Sequence, residues 1–536
     1  MREARLFLQQ YGGLGAAGLA ALMALLLPLN LLTSQPFHYD EALYATWALT
    51  ITNQVDPWLS ATPIDKPPLF LWLVAGSFRL LGATTTTARL PSLLATPLIV
   101  LLTYGLGRRL YSEATGILAA WLGALSPFTL LFAPTALTDP TLVTLVLSGC
   151  LAATVGRSVW AGVFAALAIA TKQQGVFFVP LIAGFLVISR LQGCKVAGEQ
   201  GSKVARGKAP GIERDEQNAT SHVLRLLVYF FLSLSLSLLP FIVWDLTRSQ
   251  PSAFFQQSIN NYGGLAFDLA GFNERWSGFL DLLWYGTGSV ALNIVFVVGL
   301  PFLIAYDLIT TLSQPPTSNH QLPISQSPLP DLHLILFSLA FLVLHTVFSF
   351  QIWDRYLLGL IPLLALLLAR VLLLPWAFVR YLLPRVPSLK TGLRAIFSLG
   401  LVILLAATLT QPIQDAIHAR YPLGSNSRAV TGIEQIVNYL QGNVGADTTL
   451  YHRWLGTYWR FYLWNYPYDL QFWGSPAELI AKARPGHLIA FPAWRSDTEA
   501  RLALFEAGFG LHELARAYKA DGSPSVILYR IEALAE

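Results

Sequence analysis

Charge is scarce in this chain. Asp, Glu, Lys and Arg make up 12% of its 536 residues, where a soluble domain carries about 25%. The missing polar surface excludes an ordinary water-soluble enzyme. Cysteine is scarcer still, with Cys150 in an apolar segment and Cys194 in a polar loop. Two cysteines so placed exclude a disulfide framework and a thiolate metal cluster. The isoelectric point of about 9.1 could suggest nucleic acid, but the basic residues lie in loops between apolar runs rather than on one face. That distribution excludes a nucleic-acid surface and fits membrane topology.

Long apolar sequence is what fills the chain. Hydrophobic residues reach 54% and mean hydropathy is +0.53. The runs 13–33, 91–107, 223–243, 332–350 and 394–410 approach or exceed the roughly 17–25 residues that cross a bilayer. Counting every such run predicts an α-helical polytopic membrane protein with about eleven transmembrane helices. They fall near 13–33, 90–107, 114–133, 138–155, 158–171, 174–190, 223–245, 287–311, 332–350, 356–374 and 394–411.

Arg2 and Arg5 precede the first run, which has no clear small-residue cleavage site. It reads as an uncleaved span with a cytoplasmic N-terminus. Arg108 and Arg109, Arg157, the basic residues from Arg190 to Arg225, and those from Arg380 to Arg394 then all fall on the cytoplasmic side, the positive-inside bias. An odd number of spans sends 412–536 to the outer face. In that segment Thr448–His452, Gly486–Phe491 and Ser525–Ile531 read as strands. Gly432–Gln441, Pro476–Ala483 and Thr498–Ala507 read as helices. The chain therefore divides into a transmembrane part, 1–411, and a small extracytoplasmic α/β domain, 412–536. Segments 191–222 and 312–330 read as flexible cytoplasmic connectors.

The first outer loop, 34–89, is too apolar for a solvated loop and too interrupted to span. Leu43, Trp47 and Ile51 have the spacing of a helix lying in the interface. Pro67 and Pro68 can start a second helix, Leu69 to Leu81, that Gly82 ends. Ionisable residues recur at this edge: Asp40 and Glu41 after the first span, Asp65-Lys66 before the second interfacial helix, Asp139 opening the fourth span, Lys172 after the fifth, and Asp354-Arg355-Tyr356 before the tenth. Charges at membrane depth are costly and mark function.

Tyr39-Asp40-Glu41-Ala42, Lys66-Pro67-Pro68-Leu69, Ala88-Arg89-Leu90-Pro91-Ser92, Thr138-Asp139-Pro140, Thr171-Lys172 and Arg355-Tyr356-Leu357-Leu358 occur in the order seen in the C-type (GT-C) multi-span glycosyltransferases. Over about residues 30–375 the chain resembles their protein O-mannosyltransferase and aminoarabinose–lipid A transferase branch. The resemblance implies a glycosyltransferase of the plasma (inner) membrane. It would move a sugar from a polyprenyl-phosphate donor, with inversion, to a hydroxyl of a lipid, glycan or protein at the outer face. Such transfer needs a base for the acceptor hydroxyl and cations for the departing phosphate. Asp40 is the expected base, with a helix cap as its purely structural alternative. Glu41 either assists it or sits in the first helical turn, and Asp139 either positions the acceptor or caps a span. Lys66, Lys172, Arg355, Tyr356 and Arg275 are the expected donor-phosphate contacts, and Arg89 is expected to pair with an acid of the first loop. Oxygen ligands from Asp40, Glu41 and Asp139 would suit Mg²⁺ or Mn²⁺. No metal is assigned, because Lys and Arg can neutralise the phosphate.

No Asp-x-Asp motif or nucleotide-binding domain stands out, which favours a lipid donor. A transporter or flippase of lipid-linked glycans is the main alternative. It would carry its charges near the midplane on broken helices, with repeats in its two halves, and neither is evident. The topology is testable with cysteines introduced by Ser60→Cys, Ser202→Cys and Ser496→Cys after removal of the native pair. In intact cells an impermeant thiol reagent should label the first and third and spare the second. The reverse pattern would invert the orientation.

Overall fold

The computed structural model describes residues 2–190, 212–262, 266–312, 328–382, 387–424, 429–445, 447–519 and 521–534. Cys194 and most of the two expected connectors lie outside them. Helices α1 (Arg2–Leu26) and α2 (Leu31–Ser34) are followed by α3 (Tyr39–Thr52) and α4 (Leu69–Leu81). Next come α5 (Thr85–Leu110), α6 (Glu113–Ala124), α7 (Pro127–Phe132), α8 (Asp139–Thr154) and α9 (Ser158–Thr171). Helix α10 (Gln173–Arg190) opens as a 3-10 turn. The bundle continues through α11 (Ile212–Leu246), α12 (Gln256–Tyr262), α13 (Phe272–Trp284), α14 (Val290–Leu312) and α15 (Leu329–Val347). A 3-10 turn, Asp354–Leu360, leads into α16 (Ile361–Leu382), and α17 (Pro387–Ile417) follows.

Among the described residues, eight helical segments are long and apolar enough to cross a membrane, and the chain is a multi-pass integral membrane protein. The expected count of about eleven is thus not reached: eight segments have spanning length, and α4, α8 and α9 are shorter apolar helices. The run at 114–133 breaks into α6 and α7 at Ser126-Pro127, where proline starts a new helix without an N–H to satisfy. Helices α8 and α9, of 16 and 14 residues, are also short of the spanning length. They pack on each other and on α5 and α11. The α5–α6 contact needs glycine on both sides, since a Cβ on Gly107 would meet Gly116 Cα at 2.6 Å. Helices α11 and α17 instead turn Leu224, Phe231 and Leu236, and Ile396, Leu399 and Val402, outward, as lipid-facing helices do.

The C-terminal region contains α18 (Ile433–Asn443), β1 (Thr449–His452), α19 (Gly456–Tyr462), β2 (Asp469–Phe472) and α20 (Pro476–Lys482). It ends with β3 (Leu488–Pro492), α21 (Thr498–Glu506), β4 (Phe509–Tyr518) and β5 (Pro524–Ala533). The strands form one mixed sheet in the order β2-β1-β3-β5-β4. Leu450, Leu488, Ala490, Val526 and Leu528 face one core, and Tyr451, Ile489, Phe491 and Ile531 face another, the alternation of a two-sided sheet. The first core runs without a break into the membrane bundle. Helix α19 packs on α3, with Phe461 5.0 Å from Phe37 and Tyr458 6.2 Å from Tyr39 between ring centroids. Helix α3 is consequently covered on nearly every side, from Ala42 and Tyr44 to Ala48 and Leu49, rather than exposing one face as an interfacial helix would.

The start of α3 is held twice. His38 is its N-cap: Nδ1 accepts from the Asp40 N–H at 3.1 Å, and the Glu41 carboxylate accepts from the His38 N–H at 2.7 Å, a reciprocal capping box. The cap therefore belongs to His38 and not to Asp40, whose side chain is left for another use. Arg89 of α5 then fastens the loop. Its guanidinium donates to Glu41 at 2.9 Å and to the carbonyls of Leu32, Gln35 and Pro36 at 2.7–3.1 Å. Glu41 also accepts from the Ala136 N–H at 2.7 Å. Both side chains are essentially buried, so Arg89→Leu should strand a charge and several acceptors. The expected cost is about 3–5 kcal/mol, read as a lower thermal midpoint in detergent. Glu41→Gln keeps an acceptor for only one of the two N–H groups, which bond to different carboxylate oxygens, and leaves Arg89 without its counter-charge, so it should cost a similar amount.

Candidate functional site

A cavity of about 550 Å³ opens where the loop before α3, α7, the turn before α16 and the C-terminal region meet. Its wall includes His38, Tyr39, Asp40 and Glu41 from the first loop, and Trp353, Asp354 and Arg355 from the turn. Tyr458, Trp454, Trp494 and Arg495 come from the C-terminal region. Asp40 stands in the first turn of α3, its side chain 15% exposed, and is ion-paired with Arg355. Arg355 lies 4.1 Å above the Trp353 ring, which keeps its plane in place. Asp354 accepts from the backbone N–H groups of Arg355 and Gly424. Burial disfavours the Asp40 carboxylate, but Arg355, then His38 and Lys66, outweigh it and hold its carboxyl at about 2.

A second layer lies behind the cavity wall. Lys66 is buried against Asp65 at 3.1 Å, and Asp65 also accepts from Asn261 at 3.0 Å. Burial lowers the pKa of Lys66, an effect Asp65 opposes. Lys172 donates to Asp139 at 2.6 Å and lies 5.0 Å from the Tyr356 ring. Four carboxylates are thus each matched with one cation: Asp40 with Arg355, Glu41 with Arg89, Asp65 with Lys66, and Asp139 with Lys172. The acids named as metal ligands therefore carry their own counter-charges, and among the described residues no three His, Cys, Asp or Glu side chains converge on one point. This donor set does not fit Mg²⁺ or Mn²⁺.

Asp40, Glu41 and Arg355 line the cavity, while Lys66, Asp139, Lys172 and Tyr356 sit outside its wall. Arg275 is elsewhere: its guanidinium donates to Asp268 at 2.8 Å and to the Thr346 carbonyl at 2.9 Å. Sequence reasoning missed His38, Trp353 and the four residues from the C-terminal region. The paired dipeptides Arg453-Trp454 and Trp494-Arg495 were the available signal. A buried His345, stacked between Phe341 and Phe350 at 4.1 and 4.5 Å, was missed as well.

Residues 65–197 match the family described as dolichyl-phosphate-mannose-protein mannosyltransferase. No curated protein sequence matches the chain. Among solved structures, ArnT from Cupriavidus metallidurans bound to undecaprenyl phosphate is similar with a TM-score of 0.54 at 16% identity, over 95% of this chain and 97% of that one. Its apo state gives 0.55 at the same identity and coverage. The Archaeoglobus fulgidus oligosaccharyltransferase AglB, in complex with an inhibitory peptide and a dolichol-phosphate, gives 0.51 at 12% identity, over 97% of this chain and 74% of that one. The resemblance read from the motifs is thus met by that mannosyltransferase family over residues 65–197 and by the ArnT fold over 95% of the chain.

Proposed function

We propose that the protein is a membrane glycosyltransferase that moves a sugar from a polyprenyl-phosphate donor to an acceptor hydroxyl at the outer face of the membrane. The observation that carries this reading is the Asp40–Arg355 pair on the wall of a cavity at the start of α3. The family match over residues 65–197 and the likeness to a structure bound to undecaprenyl phosphate support the lipid donor. In this reading 412–536 is an extracytoplasmic domain, and α3 and α4 lie at the outer edge of the bundle.

The chemistry follows from the charges. A polyprenyl-phosphate sugar is a phosphodiester with one negative charge, and its leaving group is a monoester that gains a second as the glycosidic bond breaks. Arg355 meets that growing charge, so it binds the transition state better than the ground state, and Lys66, buried behind the wall against Asp65, adds its field. The donor phosphate competes with Asp40 for Arg355. As it draws the guanidinium away, Asp40 loses its counter-charge and gains basicity where it is needed. The acceptor oxygen attacks the anomeric carbon, its proton passes to Asp40, and the electron pair of the breaking C–O bond leaves with the phosphate. Attack opposite the leaving group inverts the anomeric centre. Glu41 acts through position, holding the helix start for Asp40. Lys172, Asp139 and Tyr356 back the phosphate site from behind, and Arg275 has no part in this step.

Asp40→Asn keeps size and removes the base, so transfer should fall by about 10²–10⁴-fold, some 3–5 kcal/mol in the barrier. Donor binding should survive, and near wild-type turnover would reduce Asp40 to a structural residue. Lys66→Ala and Arg355→Ala should weaken binding of polyprenyl phosphate, each by about 1.5–3 kcal/mol. In liposomes the wild type should convert labelled donor to free lipid phosphate when acceptor is present. Intact donor whose sidedness alone changes would identify a flippase.

The pH dependence has a definite sign. With Asp40 held at about 2, its carboxylate stays ionised in ordinary buffers, and kcat/KM should show no acid limb from it. In Arg355→Gln the opposing charge is gone and burial remains, so the pKa rises. The residual rate should then decline as pH falls through about 4–6. A flat residual profile across that range would remove Arg355 as the partner that sets Asp40.

A further inference from the structure

The cavity has a second wall that the reaction above does not use. Arg453-Trp454 follows β1 and Trp494-Arg495 follows β3. These two strands pair in parallel, Leu450 opposite Leu488 and Tyr451 opposite Ile489, so both loops leave the same edge of the sheet. The chain goes from β1 through α19 to β2 on one side, and from β3 through α21 to β4 on the other. Crevices of this kind, outside the carboxyl ends of parallel strands that part in opposite directions, are where open α/β sheets take ligands.

What the crevice presents is specific. Trp454 and Trp494 are 39% and 40% exposed, with ring centroids 6.5 Å apart. The Arg495 guanidinium lies 4.8 Å from the first ring and 5.3 Å from the second. Trp454, Trp494 and Arg495 line the same cavity as Asp40 and Arg355. Trp454 and Arg495 also line an adjoining cleft with Arg453 and Trp473. Among the described residues the ion pairs of this region are Lys482–Glu478, Arg501–Asp497 and Arg516–Glu513, so Arg453 and Arg495 keep their charge for something else. Asp497 in the cleft is taken by Arg501, which leaves Glu499 as the opposing acid.

Flat indole faces exposed beside a reactive cavity suit the apolar face of a sugar ring. A guanidinium stacked on them, with no carboxylate of its own, suits a phosphate or carboxylate with two-point geometry. We propose that Trp454, Trp494 and Arg495 form the acceptor subsite, and that it takes a saccharide bearing an anionic group rather than a neutral glycan or a bare peptide hydroxyl. The proposal rests on the transferase reading, in which the bound saccharide extends its hydroxyl toward Asp40.

The test uses the full chain in phosphatidylcholine nanodiscs, titrated calorimetrically with trigalacturonate, glucose 6-phosphate, maltotriose and inorganic phosphate. At least one anionic sugar should bind about tenfold more tightly than maltotriose. Arg495→Gln should erase that preference, and Trp494→Ala should weaken both kinds of sugar, while Trp160→Ala, an exposed tryptophan away from the cavity, changes neither. With crude envelope as acceptor and labelled polyprenyl-phosphate hexose as donor, Arg495→Gln should raise the acceptor KM about tenfold with little change in kcat. Polyprenyl phosphate affinity should be unaffected. Equal binding of neutral and anionic sugars, no sugar binding at all, or an unchanged acceptor KM in both variants would overturn the proposal. Loss of binding to anionic vesicles in Trp494→Ala, without any effect on sugar, would make the wall a membrane anchor instead. Failure of the transferase reading is a separate result: the wild type would leave the donor uncleaved, whatever the sugar titrations show.

Discussion

Pairing of buried carboxylates with cations is the constraint on which the rest of the structure depends. A buried charge without a partner costs several kcal/mol, so Asp40, Glu41, Asp65 and Asp139 each require a cation. Three of these pairs join distant segments: the start of α3 to α5, the start of α8 to the residue after α9, and α3 again to the turn before α16. The first loop is therefore located by electrostatics as much as by packing. The pairs are not equivalent. Glu41 and Arg89 have their bonding capacity filled by each other and by backbone groups, which makes that pair a fixture. Asp40 and Arg355 face the cavity, and an incoming anion can part them.

That difference gives the proposed chemistry its order. A resting site with one cation per acid has no strong affinity for a further acid, but it exchanges one anion for another readily. A donor phosphate that takes Arg355 leaves a carboxylate beside the acceptor hydroxyl with its charge uncompensated. Base and phosphate site are then alternatives until the donor is bound, so the base stays muted in the empty enzyme.

The parts of the fold legible in the sequence were those encoded locally. Helix α4 ends at Gly82, with φ of 84°, because only glycine adopts that conformation freely. Strands β1, β3 and β5 and helices α18, α20 and α21 carry their own alternation or periodicity. Strands β2 and β4 do not: each is an edge strand with polar residues, Asp469-Leu470-Gln471-Phe472 and the stretch containing His512, Glu513 and Arg516. Hydropathy could not show that α6 to α9 stop short, since that depends on how they pack on α5, α11 and α16. Among the site residues, the types were legible and the partners mostly not. Asp139 and Lys172 are 33 residues apart and their pairing was conceivable, whereas Asp40 and Arg355 are 315 apart and only the fold joins them. Trp454, Trp494 and Arg495 escaped notice for the same reason, since nothing local tells a loop of the sheet that it faces Asp40.

The apolar core makes the C-terminal region part of the site rather than an appendage. One cluster includes Val146 of α8, Phe37 before α3, Trp459 of α19 and Leu528 of β5, so the sheet cannot shift without disturbing packing beside Asp40. The contact is closest where it matters, with Tyr458 against Tyr39 and Phe461 against Phe37. These neighbours flank the residues that start α3. A close-packed interior responds to displacement as a solid does. A ligand that draws together the loops after β1 and β3 therefore acts on α19, which follows the first of them directly, and through α19 on the first turn of α3. In the proposed reaction, the helix that carries Asp40 would thus be in touch with the donor through Arg355 and with the acceptor through the sheet.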